Sequence, residues 1–344
     1  MTAVGAVRAA VDWSNPAWFA ADLDVRGGRI AMLRIEPDVV ERSTFMDTRI
    51  AADLRQSLPF GAADVPSHLD EVPPPAWLFH TSFCGSTLLS RALHDHPRTM
   101  VYREPLVLRR LADARQEGLT LGSWVKTCTE LLARPWMPGG GIVVKPTHGA
   151  LNIAADLMTA VPGARAVAVT SSLEDFLVSH FKKPRETLFM VPELCKRLLG
   201  VASTAPNYPE AALAPPSLLA AVGLQWALQR EVLLDIALAH PDRLRIVDMH
   251  RLLESLPEVA QAFLAWTRIG HDAGTVRSRA IQIAGQHAKA PGRAFNARDR
   301  EKESQMLRHA YAGELAAAMQ WVEAQILPHV RPGAVDLASA EFAL

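Results

Sequence analysis

The stretch from residue 77 to 93 constrains the fold most. A short apolar run, Trp77-Leu78-Phe79-His80, meets a loop of small residues, Thr81-Ser82-Phe83-Cys84-Gly85-Ser86-Thr87, and then Leu88-Leu89-Ser90-Arg91-Ala92-Leu93 with helical apolar spacing. The spacing predicts strand, tight loop, helix. The pattern returns with Gly141-Ile142-Val143-Val144-Lys145 as a strand, residues 151 to 160 as a helix that stops before Pro162, and residues 164 to 169 as another strand. Nearly continuous apolar strands alternating with helices predict an α/β fold, with a central parallel sheet flanked by helices on both faces. Residues 216 to 239, striped by Leu218, Leu219, Val222, Trp226, Val232 and Leu233, and residues 299 to 327 predict long helices, with Leu244-Arg245-Ile246-Val247 a short strand between them.

Pro73-Pro74-Pro75 can neither continue a helix nor donate to a sheet, so it marks a join. The expected organisation is an N-terminal extension of uncertain structure over residues 1–72, an α/β domain over 73–330 and a tail over 331–344. With 344 residues, 49% of them hydrophobic, the chain can bury a substantial core. Its 36 basic and 36 acidic side chains cancel, which argues against a non-specific nucleic-acid binder. No apolar run approaches the roughly 20 residues that cross a bilayer, so the expectation is a cytoplasmic protein without a membrane partner. Three cysteines, Cys84, Cys128 and Cys195, show no CxxC spacing and suggest neither a disulfide framework nor a zinc knuckle.

A strand that passes through Gly85 and hydroxyl residues into a helix presents backbone N–H groups to an anion. The loop is no Walker A motif, because it lacks Gly-Lys-[Ser/Thr] and contains no lysine.

Residues 79 to 89 resemble the 5′-phosphosulfate loop of the sulfotransferase family, whose core reads Lys or Arg, Ser, Gly, Ser or Thr, Thr. Arg103-Glu104-Pro105, Lys145-Pro146-Thr147-His148 and the segment from Val167 to Ser179 then follow in the family's order. The last of these is similar to the second cofactor motif, in which a strand and an arginine precede a serine that meets the 3′-phosphate. Trp226 and residues 244 to 253 are similar to a late strand and acidic-Leu segment, and His287-Ala288-Lys289 with Arg293 to a basic loop over the cofactor. The resemblance spans about residues 76 to 325. It implies a P-loop NTPase-like sulfotransferase architecture and transfer of a sulfuryl group from 3′-phosphoadenosine-5′-phosphosulfate to a hydroxyl of a small molecule or peptide, without a metal.

On that reading His148 is the base, placed just past a strand end where parallel sheets bind ligands, and Lys145 supplies positive charge. Ser82, Phe83, Cys84, Gly85, Ser86, Thr87, Ser171, Ser179, Lys289 and Arg293 line the cofactor. Glu104 either orients the acceptor or pairs with Arg103. His94 and His96 read as solvated residues rather than ligands. Two positions depart from the family. Phe83 stands where the loop Lys or Arg belongs, and Ser171 or Ser172 where the 3′-phosphate arginine belongs, each departure removing a contact of about 1.5–3 kcal/mol. Lys145, Lys182, Lys289 and Arg293 are the cations available to compensate. Two other readings stay open: a nucleotide-dependent phosphotransferase on the same fold, and a non-catalytic binding or assembly protein with a degenerate cofactor site. Homodimerisation is also left open.

Overall fold

The computed structural model describes residues 11–66, 69, 72–183, 185–287, 290–294, 296–338 and 342–344. Near the N-terminus β1 (Trp18–Asp24), β2 (Arg29–Arg34) and β3 (Leu58–Gly61) form an antiparallel sheet in that order. The chain then supplies β4 (Ala76–His80), α1 (Ser86–Ala92), β5 (Thr99–Arg103), α2 (Leu106–Gln116), α3 (Trp124–Ala133), β6 (Gly141–Lys145), α4 (Ala154–Ala160), β7 (Arg165–Thr170) and α5 (Leu173–His180). After these come α6 (Leu218–Ala239), β8 (Leu244–Asp248), α7 (Met249–Glu254), α8 (Ala297–Ala310) and α9 (Ala312–Gln325). Five strands make one parallel sheet, in the order β5-β6-β4-β7-β8, flanked by helices. The α/β expectation therefore holds. All residues of β4 and β5 are buried, as strands covered on both faces require.

Two compact units divide the chain. The first holds residues 1–78, 90–166 and 260–277. Within it β5 lies against β6 in a register that sets Thr99 opposite Gly141 and Arg103 opposite Lys145. Gly141 has no room for a side chain, since a Cβ there would lie 2.6 Å from Ile269. Two arginines tie the early residues down. Arg134, 2% exposed, donates Nε to Leu131 O, Nη1 to Trp13 O and Asn15 O, and Nη2 to Trp18 O. Arg103 donates Nε to Ser43 O at 2.9 Å and Nη2 to Val40 O and Glu41 O. Both guanidiniums serve backbone carbonyls, and burial pushes the Arg134 pKa down to about 10.

The second unit holds residues 79–89, 167–259 and 278–344. Helix α6 is buried on nearly every side, so it is not the striped surface helix its leucines suggest. Its polar residues are consequently inside. Arg230 donates to Ser171 O, Ala334 O and Val335 O, and Glu231 accepts from the Arg331 backbone and guanidinium, both at 2.6 Å. Gly223 lets α9 come close, because a Cβ there would sit 2.2 Å from Val322. The single helix expected over 299 to 327 is two, interrupted at Tyr311, which leaves helical angles while its ring stacks on Phe181 with centroids 4.3 Å apart. Residues 342–344 run beside β8, where Ile246 N donates to Phe342 O and Leu344 N to Ile246 O. Among the described residues no helix is long and apolar enough to cross a membrane.

Replacing Arg134 with methionine keeps volume but removes the donors that serve the buried Leu131 carbonyl and the part-buried carbonyls of Trp13, Asn15 and Trp18. The expected loss is at least about 3 kcal/mol of unfolding free energy in a urea titration, against less than about 0.5 kcal/mol for the exposed Arg55→Met.

Candidate functional site

The loop after β4 belongs to the second unit. Thr81 N donates to Val169 O at 3.0 Å, which carries strand pairing one residue past β4, and the Cys84 thiol donates to Thr81 O at 3.1 Å from beneath the loop. Ser82, Cys84, Ser86 and Thr87 are buried, while Phe83 and Gly85 are half-buried. These last two also have left-handed backbone, with φ of 59° and 82°. Alternating hands in a turn gather successive N–H groups on one concave side, a shape suited to anions. Among the described residues, the backbone N–H groups of Gly85 and Ser86 have no acceptor. A Cβ on Gly85 would lie 3.1 Å from the Leu252 side chain, a tight contact, and the left-handed φ itself favours glycine. The buried hydroxyls of Thr81, Thr170 and Ser171 have no partner, nor does the Gln225 side-chain oxygen, whose amide nitrogen reaches Ser82 Oγ at 3.5 Å.

Beside the loop, at the start of α5, stands a charged cluster that sequence reasoning missed. Ser172 caps the helix, accepting from Asp175 N and donating its hydroxyl to Asp175 Oδ2 at 2.7 Å. The buried Asp175 also accepts from His250 Nε2 at 2.7 Å and Arg308 Nη2 at 2.8 Å, while Arg308 Nε donates to Glu174 at 2.6 Å. The hydrogen bond to Asp175 raises the His250 pKa. His250 lies 75 residues and Arg308 133 residues from Asp175, and no local pattern announces either. Ser179, half-buried, lies one helical turn past Asp175 on the same face of α5.

At the other end of α5, the Phe83 ring meets His180 edge-on at 4.7 Å, and Lys183 Nζ lies 4.8 Å from the centroid of the same ring. His180 donates Nδ1–H to Phe176 O at 2.7 Å. Burial, reinforced by Lys183, pushes its pKa down to about 4 from the ordinary 6.5. A depressed histidine gives stability that is full above the unfolded value of 6.5 and is lost as pH falls toward 4.

The first unit holds the other predicted residues. Lys145, 1% exposed, donates to Glu104 Oε1 at 2.6 Å, and Glu104 N donates to Lys145 O. Glu104 is left-handed, with φ 58°. Arg103, the alternative partner suggested for Glu104, donates to the Val40, Glu41 and Ser43 carbonyls. His148 is half-buried and opens a 3₁₀ turn over His148–Ile153. His94 is buried and accepts from Val101 N at 3.2 Å, which corrects the expectation of a solvated residue, whereas His96 is exposed. Among the described residues no group of three or more His, Cys, Asp or Glu is placed to hold a metal. Lys289 and the side chain of Arg293, on strand Ala290–Ala294, lie outside what the structure describes.

No protein-family model and no curated protein matches the sequence. Among solved structures the chain is similar to the sulfotransferase domain from the curacin biosynthetic pathway, with 12% identity, a TM-score of 0.36, and coverage of 70% of this chain and 98% of that one. It is also similar to a sulfotransferase from Mycobacterium avium, with 13% identity, a TM-score of 0.42, and coverage of 74% and 78%. A sulfotransferase from Alicyclobacillus acidocaldarius gives 14% identity, a TM-score of 0.39, and coverage of 77% and 99%.

For His180 the expected pH effect is a loss of about 2 kcal/mol between pH 7.5 and 5. It is measured as the difference between wild type and His180→Phe in urea titrations at the two pH values, and the variant should lack that portion of the acid destabilisation.

Proposed function

We propose that the chain is a sulfotransferase-like enzyme, taking 3′-phosphoadenosine-5′-phosphosulfate as donor and a hydroxyl of a small molecule or peptide as acceptor. The loop carries this reading: two left-handed residues, the unpaired N–H groups of Gly85 and Ser86, and the orphaned buried hydroxyls of Thr81 and Ser171 suit the phosphosulfate end of such a nucleotide. The nucleotide, when bound, supplies an activated sulfuryl group. Residues 82 to 87 would hold its phosphosulfate through backbone N–H groups and hydroxyls, with Ser171 and Ser179 toward the 3′-phosphate and Lys289 and Arg293 as further cations. His148 would take the acceptor's proton, and Glu104 would orient the acceptor. Lys145 brings positive charge at the end of β6, and its bond to Glu104 keeps both side chains in one rotamer. No metal has a step in this reaction. The three cysteines are buried and free, which supports a reducing, cytoplasmic setting.

A second reading has a specific observation behind it. Asp175 and Glu174 already neutralise Arg308 and His250 beside Ser172, so a non-catalytic protein with an altered ligand accounts for the missing phosphate arginine.

Calorimetric titration with 3′-phosphoadenosine-5′-phosphate separates the two, with adenosine diphosphate and magnesium adenosine triphosphate as controls. Micromolar binding of the 3′-phosphate nucleotide alone, abolished by Gly85→Val, is the expected result. In an assay with labelled donor and a panel of phenols and alcohols, His148→Ala should then lower kcat by about 10²–10⁴ while leaving nucleotide affinity within a few-fold. Binding of the triphosphate alone would favour a phosphotransferase, and no binding at millimolar ligand would leave the non-catalytic reading in front.

A further inference from the structure

The loop has lost its own cation, and the cations that sequence offers as substitutes are committed elsewhere or fall outside the described side chains. Lys145 is held by Glu104 at 2.6 Å, Lys182 by Glu303 at 2.7 Å, and Arg308 by Glu174 and Asp175. Lys183 differs from these. Among the described residues no carboxylate lies within salt-bridge distance of its half-buried ammonium, which rests instead on the face of Phe83, the residue that occupies the cation's position in the loop.

We propose that Lys183 is the loop's surrogate cation: carried on the Phe83 ring, its ammonium binds the phosphate or sulfate oxygens of a nucleotide held by residues 81 to 87. This rests on the reading of that loop as a phosphosulfate cradle. The geometry supports it. The Phe83 ring is fixed from two directions, its edge interacting with His180 at 4.7 Å and its face with Lys183 at 4.8 Å, so the ammonium has a defined seat two residues before Gly85. An aromatic face stabilises a partly desolvated ammonium without neutralising it, and the N–H groups turned away from the ring remain for an anion. His180 spends its Nδ1–H on Phe176 O, so it does not compete as a donor from that nitrogen. The left-handed φ of 59° at Phe83 is a strain that a non-glycine residue carries only when its surroundings fix it, and the ring contacts with His180 and Lys183 do so.

The test compares wild type, Lys183→Met, Lys183→Arg and the double variant Phe83→Lys with Lys183→Met. Each is titrated calorimetrically with 3′-phosphoadenosine-5′-phosphate at 50 and 300 mM salt, with thermal unfolding as the folding control. Methionine keeps the stem over the ring while removing the charge. Lys183→Met should weaken binding by about 10- to 100-fold and flatten the salt dependence, and Lys183→Arg should stay within about 3-fold of wild type. The double variant, with the charge returned to the loop itself, should recover at least 10-fold of the loss. Wild-type affinity in Lys183→Met would overturn the role of Lys183 while leaving the functional reading intact. So would a double variant no tighter than the single one. Absence of binding by the wild type would overturn both.

Discussion

A parallel strand covered by helices on both faces has no solvent side, and everything polar about this protein follows from that constraint. Strands β4 to β7 are apolar except at their ends, so polar side chains fall where the chain leaves the sheet. The ends are where Thr81, Glu104, Lys145 and Ser171 fall. The same constraint shapes α6, a helix so enclosed that Gln225, Arg230 and Glu231 are internal and take partners from the loop, from Ser171 just past β7 and from residues 331–335, while the Gln229 amide is buried with no partner among the described residues.

Charge is handled by two different strategies. Arg103, Arg134 and Arg230 spend their donors on backbone carbonyls, using a fixed fork of N–H groups to tie together segments distant in sequence. Elsewhere charges are paired one to one or in small clusters, as in Lys145–Glu104 and the group around Asp175. Both strategies consume cations.

The fold class could be read from sequence because alternation of apolar runs is a local property, and the strands at residues 76–80, 141–145, 165–170 and 244–248 announce themselves in that way. Strand β5 was not legible: Thr-Met-Val-Tyr-Arg is short, and its last residue is an arginine whose burial depends on carbonyls sixty residues away. The break at Tyr311 escaped for a related reason, since a stacked ring from another helix decides it and the local helical spacing continues through it. In the site, Gly85 and the hydroxyls around it are visible in one contiguous stretch. Asp175, His250 and Arg308 assemble from three distant stretches, and Phe83 draws its meaning from Lys183 and His180, so neither group has a signature in linear order.

Residues 342–344 carry a consequence of another kind. The strand order ends at β8, which would leave one side of Ile246 with its amide and carbonyl open to any extended peptide, including another copy of the same strand. The Ile246–Ala343 bridge occupies that side through a short parallel segment of the chain itself. The protein thus caps its own sheet edge against pairing with another strand, using three residues far along the chain from the sheet's other strands.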